Sequence, residues 1–133
     1  MLALILTILS LTADFTQTKH VAMMREPQVS QGHMIYRAPD YMKWQYTKPN
    51  AVNWEIDGQT SNVNPQIQNL LRMIMASVAE GGIEDAKMQK ESKKLFKSVN
   101  ITMDEKTHVA QRVELVEKNG DTTIIEFSNV VIK

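Results

Sequence analysis

The chain has 133 residues, of which 43% are hydrophobic and 23% charged, with 15 acidic and 15 basic side chains and a formal net charge of zero. That length is enough for one domain with a real core. The charge balance argues against nucleic acid as the main partner, because phosphate binding draws on a surplus of Lys and Arg. No cysteine is present, which removes disulfides, thiolate nucleophiles and cysteine-based zinc sites.

The first segment, "MLALILTILSLTADF", is apolar. It lacks a basic residue ahead of the apolar run, and "LTA" is a poor cleavage site, so a helix opening the domain is preferred over a secretory signal. It is also too short to span a bilayer, which takes about 20 residues. A strand is expected from Asp14 to Met24. A connection is expected from Arg25 to Gly32, with Pro27 and Gly32 as breakers.

Strands follow at His33–Arg37, Tyr41–Thr47 and Ala51–Ile56. In the second of these, alternation places Met42, Trp44 and Tyr46 on one face. In the third, Val52, Trp54 and Ile56 share a face. Asp57-Gly58 is a tight-turn signal. The stretch Gly32 to Gly58 holds all three tyrosines and both tryptophans.

The period then changes. Ile67, Leu70, Leu71, Ile74, Met75 and Val78 recur at the spacing of one helix face. Asn64 suits the N-cap, Pro65 the first helical position, and Gly81-Gly82 the end. A loop or short helix is expected over the charged "IEDAKMQKESKKLF". From Val99 the chain reads as a β meander, in which Val99, Ile101 and Met103 alternate, Val109, Val113 and Leu115 share a face, and Asn119–Asp121 makes a hairpin turn.

Little chemistry is visible. His20, His33 and His108 lack a partner at metal-ligand spacing, and no nucleophile elbow, Walker loop or zinc-protease motif occurs. Asp14 near a helix end and Asp40 in a turn have structural explanations. The reading is a non-enzyme with neither metal nor cofactor. Nine methionines suit either a core or a surface that fits varying apolar shapes. The aromatic run is equally a plain core or the wall of a ligand cavity, since both have the same composition.

Phe15 and Gln17, Gly32, Pro39-Asp40, Trp44, Tyr46 and Pro49, in that order, resemble the periplasmic outer-membrane lipoprotein carrier family (LolA-like). The closing "LFKSVNITMDEKTHVAQRVELVEKNGDTTIIEFSNV" resembles the family's end. The resemblance implies an α+β fold over residues 1–133: a strongly curved, incomplete antiparallel β-barrel with helices covering its concave apolar side. It implies a periplasmic chaperone that carries acylated lipoproteins from an inner-membrane ABC-type extractor to an outer-membrane acceptor. The expected acyl-chain cavity comprises Met34, Tyr36, Met42, Trp44, Tyr46 and Trp54. The expected lid face is Ile67, Leu70, Leu71, Ile74, Met75 and Val78.

Two departures from the family pattern stand out. Its arginine before the proline is here Ala38, with Arg37 one residue earlier as the candidate gating or partner contact. The family also has further strands where this chain has only Gly82 to Leu95, which implies either a smaller half-barrel with an open edge or missing residues. A monomer is expected, with edge-strand dimerisation as the alternative. The competing function is a lipid- or envelope-protein-sensing domain of related fold that does not shuttle.

Overall fold

A computed structural model describes residues 10–38, 40–58, 60–65, 68, 71–72, 93–94, 96–106 and 109–133. Eight strands form one antiparallel sheet: β1 (Ser10–His20), β2 (Gln28–Arg37), β3 (Tyr41–Lys48), β4 (Val52–Asp57), β5 (Thr60–Ser61), β6 (Phe96–Met103), β7 (Ala110–Glu117) and β8 (Thr122–Ile132). Their order is β5-β4-β3-β2-β1-β8-β7-β6, so the sheet is curved but open.

β1 is the centre of the sheet. It pairs with β2 on one side and β8 on the other, joining the two halves of the chain. Leu11, Ala13 and Phe15 are buried on one face, while Thr12 is exposed and Asp14 and Thr16 are half-buried on the other. This corrects the opening-helix expectation over residues 10–13, and the strand expected over Asp14–Met24 instead starts at Ser10 and ends at His20. A strand with neighbours on both edges satisfies its backbone groups while its period-2 apolar positions reach the core. Residues 1–9, the rest of that expectation, lie outside the described residues.

A second correction concerns Gly32. The expected connection over Arg25–Gly32 is strand from Gln28 onward, and Gly32 lies inside β2 rather than breaking the chain. Gly32 faces Phe15 on one side and Tyr46 on the other. A Cβ there would lie 2.0 Å from the Gln45 carbonyl oxygen and 2.7 Å from the tip of the Phe15 ring. The position requires glycine because a backbone and an aromatic ring both close on it.

The buried face carries rows of side chains running across the strands. Leu11, Tyr36, Met42 and Ile56 make one row, and Ala13, Met34, Trp44 and Trp54 the next. All are buried except Trp54, which is half-buried. The meander expected after Val99 is present, with Val113, Leu115, Ile125 and Phe127 buried. Gly120 has φ 94° in the β7–β8 turn, and Gly58 has φ 61° after β4.

The expected helical cover is the largest difference. Among the described residues, helical backbone is confined to Pro65, Gln68, Leu71, Arg72, Lys93 and Lys94, so a covering α layer is not part of the described fold. The start at Asn64 is visible, where the Gln68 N–H donates to the Asn64 carbonyl at 2.9 Å. Ile67, Leu70, Ile74, Met75 and Val78 lie outside the described residues, as does the shortened middle over 83–92.

Candidate functional site

The aromatic residues assemble because β1 and β3, though separated in sequence, meet across the narrow gap left by Gly32. Phe15 stacks on Trp44 with ring centroids 4.0 Å apart. Tyr46 meets Phe15 edge-on at 5.3 Å and Trp54 edge-on at 5.3 Å. Phe127 of β8 meets Trp44 edge-on at 6.2 Å. Trp44 is 1% exposed, yet its indole N–H has no hydrogen-bond partner among the described residues. Leaving a buried donor unpaired costs about 1–3 kcal/mol. Its three ring contacts, to Phe15, Tyr46 and Phe127, contribute about 0.5–1.5 kcal/mol each and offset that.

Beside this cluster lies a cavity of about 160 Å³. Trp44, Tyr46 and Trp54 wall it on one side, and Phe96, Leu115 and Ile125 on the other. Leu71, from the helical segment, also lines it and is 1% exposed. Arg72 holds that segment to the β4–β5 turn, its Nη2 donating to the Gly58 carbonyl at 2.8 Å.

The remaining lining residues are polar: Gln17, Lys19, Glu117 and Thr123. They come from the end of β1, the end of β7 and the start of β8, and so mark one end of the sheet. Lys19 and Glu117 pair at 3.6 Å, with about one third of each side chain exposed. The Tyr46 hydroxyl donates to Gln17 Oε1 at 2.8 Å. Burial pushes the Tyr46 hydroxyl pKa up. The cavity is therefore apolar inside and polar at its mouth.

Of the expected cavity residues, Trp44, Tyr46 and Trp54 line this space. Met34, Tyr36 and Met42 are buried on the same face but are not among its lining residues. Of the expected lid residues, Leu71 is the one among the described residues. Arg37 is exposed and lies over the Tyr41 ring, 5.3 Å from its centroid, on the face opposite the buried Tyr36. Gln17, Lys19, Phe96, Leu115, Glu117, Thr123 and Ile125 were not anticipated as site residues. Gln17 and Lys19 continue the inward parity of Phe15, which is the sequence signal that marks them.

Asp14 sits in the middle of β1, not near a helix end. It pairs with His33 Nδ1 and accepts a hydrogen bond from Asn129 Nδ2 at 2.8 Å. Asn129 and then His33 lower its pKa. Asn129 has φ 50° where the β1–β8 register shifts. No group of metal-ligating side chains occurs among the described residues.

The family model described as "Outer membrane lipoprotein carrier protein LolA" matches residues 7–81. That span takes in β1–β5 and the helical segment bearing Leu71, while β6–β8 lie beyond it. No curated protein matches the chain at a significant level.

Proposed function

The chain belongs to the LolA outer membrane lipoprotein carrier family, and from that membership we propose that it binds the acyl chains of lipoproteins in the cavity beside Trp44, Tyr46 and Trp54. It acts as a periplasmic carrier, receiving lipoproteins from an ABC-type extractor in the inner membrane and yielding them to an acceptor at the outer membrane. The observation that carries this reading is the aromatic-walled cavity under Leu71 with a polar mouth. An apolar interior with polar groups at one end suits a ligand whose own polar end stays in water.

Each CH₂ transferred from water contributes about 0.8 kcal/mol, so a 16-carbon chain exposed to water costs on the order of 10 kcal/mol. An acylated protein therefore needs an escort across an aqueous gap. The escort must also release it. Pockets for drug-sized ligands usually enclose about 300–1,000 Å³, more than the cavity of about 160 Å³ found here. Accepting a chain requires the walls to part, and the work of opening lowers net affinity enough for hand-over. Flat rings give apolar contact without directional demands. Leu71 is the inner face of the movable wall.

Native mass spectrometry with a triacylated lipopeptide tests the reading. A one-to-one complex is expected, absent with the deacylated peptide. A folded protein that retains no acylated peptide would overturn it.

A further inference from the structure

Topology places three turns at the cavity's mouth. The β1–β2 connection follows Lys19, the β3–β4 turn follows Tyr46, and the β7–β8 turn lies between Glu117 and Thr123. The β1–β2 tip carries Met23, 96% exposed, and Met24, 50% exposed. The tip is an ordered turn. The Met24 N–H donates to the Val21 carbonyl at 2.9 Å, and the Ala22 N–H donates to Asp121 Oδ1 at 3.2 Å, tying it to the β7–β8 turn. Val52, 40% exposed, adds apolar surface at the same end.

We propose that the β1–β2 tip is a lipid-surface docking element: Met23 and Met24 insert into a bilayer surface and hold the cavity mouth against it. Docked in this way, the mouth lies at the membrane surface where the proposed extractor and acceptor load and empty the cavity. This rests on the acyl-carrier reading for what is passed, but docking itself does not require an occupied cavity. Charge among the described residues at this end is net positive: Arg25, Lys48, Lys97 and Lys118, with Lys93 and Lys94 just ahead of β6 and Lys19 paired with Glu117, against Glu26 and Asp121. Attraction to anionic lipid headgroups therefore adds to apolar insertion of the two methionines. Flexible methionines at a turn tip meet a fluid surface without a fixed geometry. Two inserted side chains give weak, reversible attachment, as a shuttle needs.

The test is flotation of the cargo-free protein with vesicles of phosphatidylethanolamine and phosphatidylglycerol at about 0.15 M salt. The wild type is expected to partition into the vesicle fraction. The double variant Met23→Asp, Met24→Asp is expected to partition about tenfold less or lower, while keeping its lipopeptide complex in native mass spectrometry. Val131→Glu, an exposed position at the opposite end of the sheet, is expected to float like wild type. A wild type that stays with the soluble fraction, or floats only when a membrane protein is added, overturns the proposal, as does a double variant that floats undiminished. Loss of lipopeptide binding with flotation intact would instead remove the carrier reading and leave docking standing.

Discussion

Gly32 shows how one residue places a site. With no side chain there, Phe15 reaches across β2 to stack on Trp44. Gly32→Ala forces the Gln45 carbonyl or the Phe15 ring aside, and overpacking of this kind costs about 1–3 kcal/mol. The expected result is a lower urea midpoint with an unchanged slope; an unshifted midpoint would show that the rings yield freely. Titration gives a second expectation. The Asp14 pKa is lowered by Asn129 and His33, so its contribution to stability is full above the unfolded carboxylate's pKa near about 4 and is lost as pH falls through the lower folded value. Asp14→Asn should flatten the acid limb of a stability-against-pH curve. Tyr46 runs the other way. Its pKa is raised, so its contribution is full below about pH 10 and is lost as pH rises through the higher folded value. Tyr46→Phe should remove that part of the alkaline loss.

At the scale of elements, β1, β3, β4, β6, β7 and β8 all line the cavity, joined by Leu71 from the helical segment. Leu71 is 1% exposed, yet its segment is held to the sheet by the Arg72 bond to Gly58. Leu71→Glu puts a charge into the apolar interior, so lipopeptide binding should fall by at least about tenfold, the equivalent of about 1.4 kcal/mol. Isothermal titration checks this, with the far-ultraviolet strand signal confirming an intact sheet. Equal affinity would mean that the helical segment does not cover the chain. Alternation made β3 and β4 readable from sequence, because each presents aromatic or aliphatic residues at every second position. It failed for β1, where the apolar residues before Asp14 resemble a helix as much as a strand. What settles the matter is pairing on both edges with β2 and β8, whose partners lie as far away as Ile132.

For the whole molecule, a small cavity in an open sheet means that binding must be coupled to opening. Trp44 and Trp54 both line the cavity, so an entering acyl chain should shift intrinsic fluorescence to shorter wavelength. It should also raise the unfolding temperature, since a ligand at about 100 times its Kd stabilises by about 2.7 kcal/mol. A thermal scan with and without lipopeptide reads both. An unchanged midpoint under saturating ligand would place any binding away from the folded core.

The sequence by itself determined the strands with clear alternation, the turns at Gly58 and Gly120, the helix start at Asn64 and the family. Those features depend on neighbours in the chain: side-chain period, left-handed glycines and capping. The polar mouth, the Phe15–Trp44 stack and the Asp14–His33–Asn129 cluster were decided only in three dimensions. Each joins residues distant in sequence, and which of them meet depends on β1 lying between β2 and β8, a register no local pattern encodes. For the same reason the exposed methionines are unremarkable in the sequence and become a docking element only when the hairpins place them at the cavity's mouth.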